Sequence, residues 1–381
     1  MTRPRILHCH STFALGGKEA RAVRLMNAFG DRAGHAVLSA VPDALSAREA
    51  IDPTIDVEFP GDAAPALHGR PGLARYRRLA AYMRQFDLVL TYNWGAMDAV
   101  GARRLFPHAC PRLIHHEDGF NADEAEGLNW KRNGFRRLML PAAARLVVPS
   151  RTLERIARMT WHQPADRLIR ISNGIDTQVY AGPPEPGSIP GLTPNAADLV
   201  IGTLAGLRAV KNLPRLVRAV APLGEHVRLV IVGEGPERDA IQREAQQLGM
   251  GDRLLLPGFL GRPQSYLGHF DIFALSSDSE QFPISLIEAM AAGLPVAATD
   301  VGDVMTIVSE ANRPFVVKPG NEADLSGALR RLCGDRALRP ILGESNRALA
   351  RSAYDESSMI RAYAMLYEAE IRPPTTLFPR Q

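Results

Sequence analysis

Residues 276–300 read SSDSEQFPISLIEAMAAGLPVAATD. The apolar run that begins at Asp271 ends at Ser276–Ser277, and a polar loop carrying Glu280 follows. Pro283 stands where a first helical residue is expected, because its fixed φ suits that position and its missing N–H would have no partner there anyway. Helix-compatible residues then run to Ala292, and Gly293 closes the helix. A second apolar run starts at Leu294. Strand, loop, helix, glycine and strand in one unbroken stretch make a βαβ unit, whose two strands must run parallel.

The same alternation extends in both directions. Strands are predicted near Ile6–Cys9, His35–Ser39, Asp87–Tyr92, Arg112–His116, Leu146–Pro149 and Leu168–Ser172, with helices clearest at Lys18–Phe29, Leu73–Gln85 and Thr152–Met159. A second series runs through LVIGTLAG from Leu199, VRLVIVG from Val227, RLLLPGF from Arg253, DIFALSS from Asp271 and LPVAATD from Leu294. Between the series lies AGPPEPGSIPGLTPNAAD, whose prolines forbid a continuing helix or a central strand. The fold class is therefore α/β, with two Rossmann-like, doubly wound domains. The reading assigns 1–180 to an N-terminal domain, 181–197 to a proline-rich linker and 198–355 to a C-terminal domain. It assigns 356–381 to a helix and tail returning to the first domain. Two such sheets presenting their strand ends to each other would enclose a ligand crevice.

Composition sets the function classes. At 381 residues the chain exceeds what one core usually serves. Three widely spaced cysteines give neither a disulfide framework nor a metal-binding spacing, which fits a reducing, cytoplasmic compartment. The opening MTRPRILHCHSTF is interrupted by His8 and His10 and reads as a first strand rather than a signal peptide. No apolar run reaches the length of a membrane span. Residues 1–180 hold 25 Lys+Arg against 18 Asp+Glu, whereas the remainder is slightly acidic. This asymmetry points to an anionic surface or ligand met by the first half, and an evenly solvated arginine surface fits the same count. Nucleic acid is not the expected partner, because no helix-turn-helix or aromatic-basic RNA motif accompanies the charge.

The helix after Pro283 offers free backbone N–H groups and a positive dipole end, which suit a diphosphate. Glu288, four residues after Ile284, shares a face with the first turn and can accept from a ribose, while Glu280 in the loop can reach a sugar. In IGTLAGLRAVKNLPRLVRAV, residues 201–220, a strand, a small-residue loop and a helix follow one another, and taken alone Arg208 and Lys211 read as solvated loop charges. Gly16 and Gly17 follow the first strand in HSTFALGGKEARAVRLM and permit close backbone approach. RLIHHEDGF, from Arg112, places His115 and His116 at a strand end, where alternation lets only one face an open groove. His116 is favoured, with Glu117 or Asp118 nearby, and a hydrogen-bonded core histidine fits either position equally well.

The Glu-x7-Glu spacing followed by LIEAMAAGLPVAATDVG resembles the donor site of glycosyltransferase family 4, retaining enzymes of the GT-B fold. By that resemblance Glu280 contacts donor-sugar hydroxyls, Glu288 the ribose hydroxyls, and Lys211 the leaving diphosphate. The resemblance also places Phe282, Ile284 and Ser285, at the helix start, among the residues that bind the nucleotide sugar. Gly206 occupies the place where the family usually has an arginine, and Arg208 is its nearest substitute. Gly233, in GEGPER, matches a family turn that reads equally as a plain strand-to-helix turn. Phe259 and Leu260, in PGFLGRPQSYL, match the loop lying against the nucleotide base. Where many relatives have Glu-Gly-Phe-Gly, this chain has Glu280-Gln281-Phe282-Pro283, and Pro283 offers no N–H to a sugar or phosphate oxygen.

The resemblance implies a retaining hexosyltransferase that moves sugar from a UDP- or GDP-sugar to a glycan or lipid-linked acceptor in envelope polysaccharide or glycolipid synthesis. It implies an internal-return mechanism in which the leaving phosphate helps deprotonate the acceptor. No Asp-x-Asp motif for a metal-held diphosphate occurs, and no cofactor or metal is expected. LARYRRLAAYMR from Leu73 and NWKRNGFRRLML from Asn129 mix cations with apolar residues. They extend the expectation to an anionic membrane surface, although ordinary amphipathic packing explains each equally well. The competing readings are a non-catalytic sugar-nucleotide-binding protein and a GT-B sugar-nucleotide epimerase.

Overall fold

A computed structural model of the protein describes residues 3–67, 69, 72–119, 129–193, 195 and 197–378. The chain forms two compact units, one made of Met1–Asn173 with Ser357–Gln381 and the other of Gly174–Glu356.

In the first unit the elements follow in the order β1 (Arg5–His10), α1 (Gly17–Phe29), β2 (Gly34–Ser39), β3 (Val57–Glu58), α2 (Leu73–Met83), β4 (Leu88–Tyr92), α3 (Met97–Leu105), β5 (Arg112–His116), α4 (Trp130–Met139), β6 (Arg145–Val148), α5 (Arg151–Met159) and β7 (Leu168–Arg170). The strands pair in parallel in the order β3-β2-β1-β4-β5-β6-β7. Period-two alternation divides their side chains between two faces. Leu7 and Cys9 join α2, α3 and α5 in one core, while Ile6, Leu88 and Leu90 join α1 in the other. Periodicity marked the longer strands to within one or two residues but missed β3, which at two residues is too short to show a period.

Helix α2 settles as an ordinary packed helix, with Tyr76, Leu79, Ala80 and Met83 turned inward. In α4 the outward residues include Trp130, Lys131, Arg137 and Leu138, with Trp130 77% exposed. No described helix is long and apolar enough to cross a membrane.

The first unit holds several histidines in its core. Burial holds the pKa values of His8, His10, His35 and His116 below the usual 6.5, that of His35 at about 4 and that of His116 at about 3. Below about pH 6.5 the unfolded chain takes up protons that the folded chain refuses, so stability is level above that pH and falls as the pH drops toward 4. Each buried histidine then removes up to about 2 kcal/mol at pH 5. The melting midpoint is expected to fall clearly between pH 7.5 and pH 5. A midpoint that stays flat over this window would contradict neutral burial.

The second unit continues with β8 (Leu199–Leu204), α6 (Leu213–Val220), β9 (Val227–Val232), α7 (Arg238–Gln247), β10 (Leu254–Gly258), β11 (Ile272–Leu275), α8 (Ile284–Ala291), β12 (Val296–Thr299), α9 (Val304–Ile307), β13 (Val316–Val317), α10 (Glu322–Gly334) and α11 (Leu338–Ala353). Its six strands are parallel in the order β10-β9-β8-β11-β12-β13. One face packs α6, α7 and α10 over Leu199, Ile201, Leu229 and Ile231. The other packs α8 and α9 over Val230, Phe273, Val296 and Ala298.

The proline-rich segment 181–197 lies within this second unit, because the chain passes from one unit to the other at Asn173–Gly174. Burial explains the placement. Ile189 inserts into the core beside Tyr180, and Glu185 N–H donates to Ser265 O at 2.7 Å. The last helix, α12 (Glu356–Glu370), packs Met359, Ile360, Tyr363 and Tyr367 into the first unit's core against α1.

Candidate functional site

In the second unit β8 lies between β9 and β11, so the loops leaving the carboxyl ends of β8 and β11 diverge there. Such a switch point is where open α/β sheets hold ligands. The loop after β8 carries Arg208 and Lys211, and the loop after β11 carries Ser277 and Glu280. Lys211 Nζ lies 2.5 Å from Glu280 Oε1, and Ser277 Oγ donates to that same oxygen at 2.7 Å.

The two loops are also held by other bonds. Asp278 N–H donates to Val210 O at 2.8 Å, Ser276 Oγ to Lys211 O at 3.0 Å, and Arg215 Nη1 reaches both Ser276 O and Asp278 Oδ1. From β12, Thr299 Oγ1 donates to Ser277 O at 2.7 Å. Gly302 has φ +58°, and a Cβ there would stand 2.3 Å from Glu280 O, so only glycine lets the next loop pass so close. The acid and the base are thus set by backbone contacts rather than by their own flexible chains.

Helix α8 begins one residue later than its sequence implied. Pro283 is the N-cap, with φ −70° and ψ 109°, and Ile284 is the first helical residue. The extended ψ at Pro283 is ordinary cap geometry. Pro283 makes no side-chain cap hydrogen bond to this end. The N–H groups of Ile284, Ser285 and Leu286 therefore have no intrahelical acceptor and remain available to an anion. Phe282 packs edge-on against Tyr354 with ring centres 5.9 Å apart. On the same helix Glu288 Oε1 accepts from Tyr180 Oη at 3.1 Å. Tyr180 was not among the sequence-based candidates; it lies 108 residues away in the chain and is buried, so no local spacing marks it.

Gly233 ends β9 at φ +145°, where a Cβ would stand 1.9 Å from Ala205 O. The absence of a side chain lets the β9 turn pack on the backbone of the β8 loop. Beyond β10, Phe259 is 74% exposed while Leu260 packs on the core, which leaves one aromatic face free for stacking. Arg208 is exposed, and its guanidinium has no partner among the described residues.

The first unit has its own switch point between β1 and β4. Gly16 is the extended N-cap of α1 and Gly17 its first residue, both exposed. His116 does not face an open surface. The Thr91 carbonyl can only accept, so His116 Nδ1 donates to it at 3.2 Å, and Tyr367 Oη donates to Nε2 at 2.9 Å. The ring is neutral, stacked on Tyr92, and has no nitrogen left for a substrate. His115 is equally buried on the opposite face, where Thr91 Oγ1 lies 2.8 Å from Nδ1.

A different constellation stands beside Gly16. Arg21 pairs with Asp118 and donates to Asn173 Oδ1 at 2.9 Å, and Lys18 pairs with Glu19. Among the described residues neither ring nitrogen of the buried His10 has a hydrogen-bond partner, and Glu19 Oε1 is 3.9 Å away. The sequence carried one signal for His10, namely its place as the last residue of β1 ahead of the Gly-Gly loop.

The profile described as Glycosyltransferase Family 4 matches residues 15–179, and the one described as Glycosyl transferases group 1 matches residues 189–349. The lipopolysaccharide core biosynthesis glycosyltransferase LpsD of Rhizobium meliloti is 28% identical over 176 residues, 46% of this chain and 51% of that protein. The putative glycosyltransferase EpsF of Bacillus subtilis is 32% identical over 192 residues, 47% of this chain and 49% of that protein. The chain thus matches about half the length of these curated relatives. Among solved structures, Anabaena HepE in complex with UDP superposes with a TM-score of 0.76 at 20% identity, covering 96% of this chain and 100% of that one. That likeness shows the two-domain, Rossmann-like GT-B fold. With two profiles of one family lying end to end over most of its length, the chain belongs to glycosyltransferase family 4, the group 1 glycosyltransferases.

Proposed function

We propose that this protein is a retaining, metal-independent glycosyltransferase that moves a sugar from a nucleotide sugar to a glycan or lipid-linked acceptor in cell-envelope or exopolysaccharide synthesis. The observation that carries the reading is the Lys211–Glu280 pair at the β8/β11 switch point, 2.5 Å apart beside the uncapped N-terminus of α8. A pyrophosphate arriving there competes for Lys211 and releases Glu280 to accept from donor-sugar hydroxyls. Glu288, held by Tyr180, accepts from the ribose. Lys211, Arg208 and the first turn of α8 take up the charge that develops on the leaving diphosphate, so no metal is required. LpsD is named for lipopolysaccharide core biosynthesis and HepE was solved with UDP, which supports an envelope acceptor and a UDP-sugar donor. The buried His116 has no free nitrogen for the transfer and is assigned a structural role.

A panel of UDP- and GDP-sugars tests the reading by thermal shift and by release of free nucleotide in EDTA. At a hundred times its Kd a true donor adds about 2.7 kcal/mol to stability. Stabilisation by no nucleotide sugar would remove the reading, loss of turnover in EDTA would remove metal independence, and stabilisation without turnover would favour a binding protein.

The outward face of α4, with Trp130, Lys131, Arg137 and Leu138, supports peripheral contact with an anionic membrane, the inner face of the cytoplasmic membrane being the expected location. Binding to anionic vesicles is then expected to weaken with salt and with Trp130→Ala.

A further inference from the structure

The first unit contains a cavity of about 420 Å³ at the amino ends of β5, β6 and β7, the opposite end of the sheet from Gly16 and His10. Five arginines line it: Arg103, Arg104, Arg112, Arg145 and Arg167. Among the described residues one carboxylate answers them. Glu370, at the end of α12, pairs with Arg112 and lies 3.3 Å from Arg145 Nη2.

The other contacts are to neutral carbonyls. Arg103 donates to Pro107 O, Arg145 Nη1 to Ala144 O at 3.0 Å and Arg167 Nη1 to Pro141 O at 2.9 Å. Such bonds orient a guanidinium without neutralising it. Arg104 is exposed with no partner among the described residues, and Arg103 Nε is buried with none. Five cations facing one anion around a small-molecule-sized space are an unbalanced charge that a stable fold has no need to gather. Planar guanidinium forks match phosphate oxygens two at a time.

We propose that this cavity is a second anion site, separate from the donor site, which takes a ligand carrying phosphate or pyrophosphate groups. The surplus positive charge is larger than one carboxylate ligand would balance, and the polar, arginine-lined wall does not suit an apolar group. The phosphate belongs either to a small soluble molecule or to an anionic lipid headgroup, and one experiment separates these sources.

The probes are inorganic pyrophosphate, followed by calorimetry, and phosphatidylglycerol vesicles, followed by co-sedimentation. The variants are Lys211→Ala and Arg104→Ala/Arg167→Ala, the latter made both in the wild type and in Lys211→Ala, each in the full chain. Lys211→Ala removes pyrophosphate bound at the donor site and exposes what remains. The remaining binding is expected in Lys211→Ala, and the double arginine variant is expected to weaken it about tenfold or more while leaving nucleotide-sugar binding unchanged. Pyrophosphate binding lost with the arginines identifies a soluble ligand; vesicle binding alone lost with them identifies a headgroup.

If the double arginine change, made in Lys211→Ala, leaves the binding of both probes as it is in Lys211→Ala alone, the site is overturned, whatever the donor experiment shows. Both arginines are exposed, and neither pairs with Glu370. Should the pair of changes nonetheless lower the melting midpoint, Arg104→Glu alone reads the same loss.

Discussion

Lys211→Ala is expected to lower kcat/KM by roughly a hundredfold to a thousandfold, the range seen when one fixed group facing developing charge is removed. Lys211 is set in place by the Ser276–Lys211 backbone contact, so its ammonium costs little further ordering when the diphosphate arrives. The loss should fall largely on kcat, because charge builds on the leaving phosphate as the glycosidic bond breaks. Glu288→Ala should behave differently. In the proposed donor site its partners are ribose hydroxyls, present equally in ground and transition states, so the change should raise the donor Kd about tenfold or more and leave pyrophosphate binding unchanged. Tyr180→Phe, which removes the bond that orients Glu288, should reproduce a smaller part of the same effect. Steady-state kinetics with calorimetry on the three variants decides the matter. Wild-type behaviour in both Lys211→Ala and Glu288→Ala would dismiss the donor site.

The second large effect concerns stability. Arg136 is fully buried, with Nε 3.2 Å from Glu117 Oε2 and its guanidinium stacked over Trp94 and Trp161. Arg136→Ala strands a buried carboxylate, and breaking one side of such a pair costs about 3–5 kcal/mol. For a unit of this size that lowers its melting midpoint by about 10 °C. Arg136→Met with Glu117→Gln is expected to recover most of the loss, since no charge is then left without a partner. Calorimetry measures both. A loss below about 1 kcal/mol for Arg136→Ala would mean that water reaches Glu117.

The parts of the site closest together in sequence were the most legible. The run from Ser276 to Gly293 contains its own strand end, loop, helix start and helix stop, so Glu280, Glu288 and the anion-receiving turn could be named from local rules. Pro283 shifted by one position because a proline serves both as cap and as first helical residue, and only ψ distinguishes the two. The two-residue strands β3 and β13 escaped because pairing with a neighbour, not alternation, defines them.

His116 shows a different kind of limit. Alternation correctly puts His115 and His116 on opposite faces of β5, but exposure depends on what covers each face. One cover is α12, more than two hundred residues later, whose Tyr367 takes the last free nitrogen. Tyr180 on Glu288 and Arg136 on Glu117 depend in the same way on chain segments brought together only by folding.

The amino-acid sequence by itself determined two parallel α/β units, the order of their elements and the identity of the charged groups at the β8/β11 ends, because propensity, period and capping act over a few residues. Tertiary structure alone decided which polar side chains stay reachable, which become core, and that five arginines scattered from 103 to 167 share one cavity. Burial and charge balance depend on three-dimensional neighbours, and those neighbours are far apart along the chain.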